Sequence, residues 1–126
     1  MTDSVSRLHA AVIAARGSDP AKSRTAKLLR SGRAKMAKKL AEEAVEVVID
    51  ALHGQTDAVV RESADLIYNL VVLWVQLGVH PDDVWAEMKR REQMFGIAEK
   101  VPKDLVSPSA RRKVVALESR RIRKRR

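Results

Sequence analysis

The sequence predicts an all-α fold, an antiparallel four-helix bundle that pairs with a second copy of itself. Residues that favour helices (Ala, Leu, Val, Lys, Arg and Glu) dominate the chain of 126 residues, which is 45% hydrophobic and only 3% aromatic. Apolar side chains recur with helical spacing, and glycines separate the amphipathic stretches where helices are expected to end. Short connections between such helices favour antiparallel packing.

The first third of the chain is predicted to hold one full helix and one short one. Residues 5–16 have helical periodicity, and Gly17 is the expected C-terminal cap. The apolar side chains on one face of this helix are Leu8, Val12 and Ile13. After a turn, residues 23–31 are expected to form a helical turn or two that end at Gly32.

Three longer helices follow. The second main helix is predicted over residues 34–53, with Gly54 just past its end. The third is predicted over residues 57–77 and is followed by Gly78. The fourth, over residues 81–96, opens with a proline and two acidic residues, which suit the first turn of a helix.

The third main helix predicts homodimerisation. Its segment from residue 66 to residue 77 is apolar on almost every side, so more than one partner surface must cover it. A second copy of the chain is the simplest partner, and Trp74 and Trp85 are expected in the core or in the dimer interface. This apolar run is too short to cross a bilayer.

The charge is concentrated at the C-terminal end. Residues 111–126 hold nine basic side chains and one acid, whereas the whole chain has a net charge of +9. We therefore expect a domain over residues 1–100 and a linker with a basic tail over residues 101–126. Contact of this tail with nucleic acid is possible, but we favour a solubilising appendage, since no stacking aromatic lies in the tail.

A cytoplasmic location is the expectation from composition. The chain has no cysteine, which excludes disulfides, zinc–thiolate sites and thiol catalysis. The N-terminal residues lack the basic flank and apolar core of a signal peptide.

Two pairs of carboxylates interrupt the two most apolar helices. Glu43 and Glu46 are three residues apart on the second main helix, and so are Glu62 and Asp65 on the third. This spacing places both members of a pair on one helix face. Such acids are either a solvated face paired with nearby lysines and arginines or the ligands of a cation. Oxygen ligands in an apolar setting suit Mg²⁺, which usually serves phosphate chemistry.

The same residues carry a family resemblance. Residues 42–46 (EEAVE) and 62–65 (ESAD) resemble the EExxE…ExxD signature of the all-α nucleotide pyrophosphohydrolases of the MazG superfamily. Within that superfamily the chain is most similar to the phosphoribosyl-ATP pyrophosphohydrolase family of histidine biosynthesis. Further matching segments are residues 23–29, 39–43 and 64–70.

The resemblance implies Mg²⁺-dependent hydrolysis of phosphoribosyl-ATP to phosphoribosyl-AMP and pyrophosphate. It implies that the metal ligands are Glu43, Glu46, Glu62 and Asp65, and that Glu42 orients or deprotonates the water. Glu42 and Glu43 could exchange roles, which leaves Glu42, Glu43 and Glu46 as the catalytic set. The substrate contacts that it implies are Thr25, Lys27, Lys39, Tyr68, Asn69 and Arg91.

Three positions depart from that family's usual pattern. Arg24 replaces an aromatic residue, Ala41 replaces a glycine, and Asn69 replaces a histidine. There are two alternatives to this function. One is a related enzyme that removes other nucleoside triphosphates, and the other is a non-enzymatic helical module that binds nucleic acid through the basic tail.

Overall fold

The computed structural model describes residues 3–95, which form five α-helices and no strand. These helices are α1 (Ser4–Ala15), α2 (Arg24–Arg30), α3 (Arg33–Leu52), α4 (Thr56–Leu77) and α5 (Pro81–Phe95). The all-α prediction is confirmed. Within this range, no helix is both long enough and apolar enough to span a membrane. The predicted tail over residues 101–126 lies outside the described residues.

The chain separates into two compact units, Met1–Val84 and Trp85–Arg126. Helix α5 therefore begins in the first unit and continues into the second. Helices α1 to α4 lie wholly in the first unit, where α4 packs most extensively against α3 and next against α1. The first unit also holds both predicted carboxylate pairs.

Short polar side chains begin the first two helices. Asp3 accepts a hydrogen bond at 2.8 Å from the backbone N–H of Ser6, and Ser23 accepts one at 3.1 Å from Ala26. These caps satisfy N–H groups that have no partner within their own helix. Each of the five helices begins within about a residue of its predicted start, and α1 to α4 also end within a residue of their predicted ends.

Only some of the glycines have the positions at helix ends that were predicted for them. Gly78 ends α4 in the left-handed conformation at φ 73°, as expected. Gly17 does not cap α1, because the capping residue is Arg16 in ordinary right-handed geometry. Gly32 begins α3 at φ 96°, and the short α2 is capped at its end by Ser31.

The core of the first unit is built around the second half of α4. The buried apolar side chains that form its main cluster are Val12, Leu29, Met36, Val71, Val72 and Val75. Leu8 packs against this cluster as predicted, and so does Trp74. Ile13 does not, because it is 41% exposed. Four of the six side chains of the cluster are valines.

An uncovered apolar surface lies on α3. The sequence had suggested that this surface would lie mainly on residues 66–77. The members of the surface on α3 are Val45, Val48, Ile49 and Leu52, which are 47% to 81% exposed. We refer to these four residues as the α3 apolar stripe. The buried Met36 precedes Val45 by nine residues, or two and a half helical turns, so the stripe faces away from the core. On α4, Val60, Ile67 and Leu77 are exposed as well, and the last two belong to the segment 66–77.

Candidate active site

Facing turns of α3 and α4 bring the predicted carboxylates together. Glu43, Glu62 and Asp65 each present an oxygen, and these three oxygens all lie within 4.8 Å of one another. Glu46 is exposed to solvent but is close enough to Glu62 to perturb its ionisation. The three-residue spacing on each helix therefore does produce one acidic cluster.

The cluster is short of positive charge. The pKa of Glu62 is raised from 4.5 to about 7, first because the neighbouring side chains of Glu46 and Glu43 favour its protonated form, then by burial and by repulsion from the same two carboxylates. Within residues 3–95, no ion pair links these acids to a lysine or arginine. The idea that the acids form a solvated face neutralised by such partners is therefore not supported.

Two carboxylate oxygens of the cluster lack a hydrogen-bond partner. Oε2 of Glu43 and Oε2 of Glu62 are buried and have no hydrogen-bond partner. A buried acceptor without a donor is costly, and a proton or a cation removes that cost. Several carboxylate oxygens at this spacing are ligands of the type that Mg²⁺ accepts. The donor set therefore fits the divalent ion that the sequence predicts.

A cavity of about 430 Å³ opens beside the cluster. Its lining includes the acids Glu43 and Asp65 and the cations Arg24, Lys27, Lys35 and Lys39. The other lining residues are Leu28, Ser31, Tyr68 and Asn69. Acids that can hold a metal and cations that can hold phosphate thus share one cavity. This is the combination that phosphoryl chemistry requires.

Most of the predicted substrate contacts lie at this cavity. Lys27, Lys39, Tyr68 and Asn69 line it. Thr25 does not line it, but its hydroxyl oxygen lies 2.6 Å from that of Tyr68, which ties α2 to α4. The remaining catalytic candidate, Glu42, is exposed and is not among the lining residues.

Arg91 belongs to the second unit and is already paired there. Its Nε donates to Glu87 at 3.1 Å, and Arg90 contacts the same carboxylate at 2.7 Å. These two guanidinium groups lower the pKa of Glu87 to about 2. The proposed phosphate contact of Arg91 stays a prediction.

Asn69 hydrogen-bonds to the main chain of its own helix, α4. Its side-chain nitrogen donates at 2.8 Å to the main-chain carbonyl oxygen of Asp65, not to the Asp65 carboxylate. Its Oδ1 is buried without a hydrogen-bond partner, and the residue as a whole is only 4% exposed. Asn69 therefore presents an unsatisfied acceptor in the wall of the cavity.

Sequence reasoning missed Lys35 as a cavity residue. A signal was available, because Lys35 precedes Lys39 by four residues and so lies on the same face of α3. Arg24 was noted only as a departure from the family pattern, although it also lines the cavity.

Comparison with known proteins agrees with the geometry. A family model described as phosphoribosyl-ATP pyrophosphohydrolase matches residues 5–92. Proteins named phosphoribosyl-ATP pyrophosphatase 2 from Bradyrhizobium diazoefficiens and Rhodopseudomonas palustris are 64% and 60% identical, over 99% and 100% of both chains. The phosphoribosyl-ATP pyrophosphatase of Gluconobacter oxydans is 51% identical over 75% of this chain and 71% of its own. The chain therefore belongs to the phosphoribosyl-ATP pyrophosphohydrolase family of phosphoanhydride hydrolases.

Proposed function

We propose that this protein hydrolyses phosphoribosyl-ATP to phosphoribosyl-AMP and pyrophosphate, a step of histidine biosynthesis, with Mg²⁺ as its cofactor. The observation that carries the proposal is the shared cavity, in which Glu43 and Asp65 lie beside Lys27, Lys35 and Lys39. The names of the similar proteins give the substrate, and their similarity extends over the whole chain.

The proposed metal ligands are Glu43, Glu46, Glu62 and Asp65. Mg²⁺ held by these carboxylates would neutralise charge on the phosphate oxygens. The unpartnered buried oxygens of Glu43 and Glu62 support this assignment, as does the raised pKa of Glu62.

The reaction exchanges one bond to phosphorus for another. The oxygen of a water molecule bonds to the α-phosphorus, and the bond from that atom to the α,β-bridging oxygen breaks, so pyrophosphate leaves. Glu42 or Glu43 takes the proton of the water. Glu43 lines the cavity and Glu42 does not, which favours Glu43 as the metal ligand and leaves Glu42 as the proton acceptor.

The cations have a separate task. Lys27, Lys35 and Lys39 line the same cavity as the acids and can hold phosphate oxygens by charge-assisted hydrogen bonds. Because all three side chains are exposed, we expect their contribution to substrate binding to weaken as salt rises.

We also propose that the enzyme works as a homodimer, with the α3 apolar stripe in the interface. Four exposed apolar side chains on one helix face form a patch of the kind that association covers.

The decisive experiment measures pyrophosphate release from phosphoribosyl-ATP and from a panel of canonical and deoxy nucleoside triphosphates, with Mg²⁺ and with excess chelator. Glu46→Gln and Glu62→Gln should each lower the rate by about 10² or more, since each removes a charge that the phosphoryl transfer uses. Lys38→Gln, on an exposed part of α3 outside the cavity lining, is the matched control.

The possible results separate the alternatives. Faster hydrolysis of the nucleoside triphosphate panel would replace the proposal with a housecleaning enzyme, and full activity in chelator would reject the metal. If nucleic-acid binding were the main function, deletion of residues 108–126 would abolish it while Glu46→Gln changed nothing.

A further inference from the structure

A second cavity adjoins the first one and has a different charge. It measures about 440 Å³ and is lined by Pro20, Ala21, Lys22, Ser23, Arg24 and Lys27. Arg24 and Lys27 line both cavities, so they form the border between them. Three of the six lining residues are cations and none is an acid, whereas the first cavity includes Glu43 and Asp65.

The loop that carries Lys22 is held in place by its own backbone. Asp19 accepts hydrogen bonds on its main-chain oxygen from the N–H groups of Lys22 and Ser23, at 2.9 and 3.0 Å. Its carboxylate accepts another from Ala21 at 3.0 Å. Ser23 in turn accepts the N–H of Ala26, which fixes the loop to α2. The wall of the second cavity is therefore an ordered turn, and its nearest acid is engaged within that turn.

The proposed substrate carries two separate anionic ends. Phosphoribosyl-ATP has a triphosphate on one ribose and a single phosphate on the second ribose, which is attached to the base. The triphosphate must reach the acidic cluster, because the bond that breaks lies within it. The single phosphate must then lie on the far side of the base from the acids. The second cavity meets that requirement, since it borders the first through cations and holds no acid.

We propose that the second cavity binds the phosphate of the phosphoribosyl group, with Lys22 and Arg24 as the residues that distinguish phosphoribosyl-ATP from ATP. This inference rests on the proposed function. Lys22 lines only the second cavity. In the proposed arrangement it would therefore contact only the single phosphate. Arg24 lies at the border, where its guanidinium can form two parallel hydrogen bonds to one phosphate.

The test measures, in the Lys22→Gln variant, the KM for phosphoribosyl-ATP and the inhibition constant of ATP. We expect the KM for phosphoribosyl-ATP to rise on the order of tenfold, the effect of one lost charged hydrogen bond, with kcat nearly unchanged. The inhibition constant of ATP, which lacks the second phosphate, should stay at its wild-type value. Arg30→Gln is the matched control, because Arg30 is an exposed cation of α2 that lines neither cavity.

Arg24 provides an independent measurement. Arg24→Gln should raise the KM for phosphoribosyl-ATP, and Arg24→Lys should restore part of the loss by keeping the charge. An unchanged KM in Lys22→Gln, or an equal weakening of ATP inhibition, would overturn the inference and leave the proposed function intact. Wild-type protein that releases no pyrophosphate from phosphoribosyl-ATP would overturn both.

Discussion

Glu62 is the residue whose chemistry the fold changes most. In water a glutamate side chain is charged at neutral pH, but Glu62 shares its site with Glu43 and Glu46, and its pKa rises to about 7. The folded protein thus binds this proton more tightly than the unfolded chain does. If Mg²⁺ binds the Glu62 carboxylate as proposed above, it and the proton would compete for the same group.

This competition predicts a pH dependence of stability. Without metal, the stability supplied by the Glu62 proton is fully present below about pH 4.5 and is lost as the pH rises through about 7. Glu62→Gln keeps a neutral side chain and should remove this dependence. Melting temperatures of both proteins in chelator, from about pH 5 to about pH 8, measure it.

The effect of Mg²⁺ on the melting temperature should also depend on pH. Added Mg²⁺ should raise the melting temperature of the wild type most at the high end of that pH range and should have little effect on Glu62→Gln. Wild-type and Glu62→Gln curves that stay parallel across the range would contradict the assignment of the raised pKa to Glu62.

A second prediction at this scale concerns the hydroxyl pair of Thr25 and Tyr68. Their oxygens lie 2.6 Å apart, and both side chains are half-buried. Tyr68→Phe and Thr25→Val should each lower the free energy of unfolding by about 1 kcal/mol, because each leaves a partly buried hydroxyl without its partner. Urea unfolding of the two variants and of the double variant measures the coupling. A double variant whose loss equals the sum of the two single losses would show no interaction.

At the scale of elements, helix limits were easier to predict than helix caps. Residues such as Ser23 and Pro81 mark helix starts through local chemistry, which a sequence displays directly. Gly17 was misassigned because a glycine after a helix permits the left-handed conformation without requiring it. Which residue adopts that conformation depends on the next element, and this depends on packing.

Gly78 and Gly17 therefore form a natural matched pair. Gly78 has φ 73°, Gly17 has no positive φ, and no atom lies within 4 Å of a Cβ built at either position. Gly78→Ala should cost about 1 kcal/mol of unfolding free energy through backbone strain alone, and Gly17→Ala should cost nothing. Equal losses in chemical denaturation would mean that the strain argument does not apply here.

For the whole molecule, the sequence predicted the site better than it predicted the surface. Glu43, Glu62 and Asp65 were found from a spacing of three residues, because a regular helix converts spacing directly into position. The grouping of Arg24 and Lys35 at one cavity depends on how α2 packs against α3, which no local pattern encodes. Packing also determines where apolar side chains stay exposed. Residues 66–77 were predicted to need a partner chain, but other helices of the same chain bury most of that segment.

The α3 apolar stripe predicts the behaviour of the assembly. Val48→Glu should convert a dimer into monomers, because a charge in an apolar interface loses its hydration without gaining a partner. Light scattering after size-exclusion chromatography measures the mass. Ile13→Glu is the control, since Ile13 is exposed on α1 outside the stripe. A dimer that persists in Val48→Glu would move the interface away from α3.

The brevity of α2 has a consequence for how substrate enters. A helix of seven residues is not stable alone in water, so α2 depends on its docking through Ala26 and Leu29 and on the Thr25–Tyr68 contact. Transient undocking of α2 would carry Arg24 and Lys27 away from both cavities. The amide hydrogens of α2 should therefore exchange with solvent faster than those in the middle of α4, and bound substrate should slow that exchange. The rate at which the nucleotide enters would then depend on how often this seven-residue helix undocks from the helices around it.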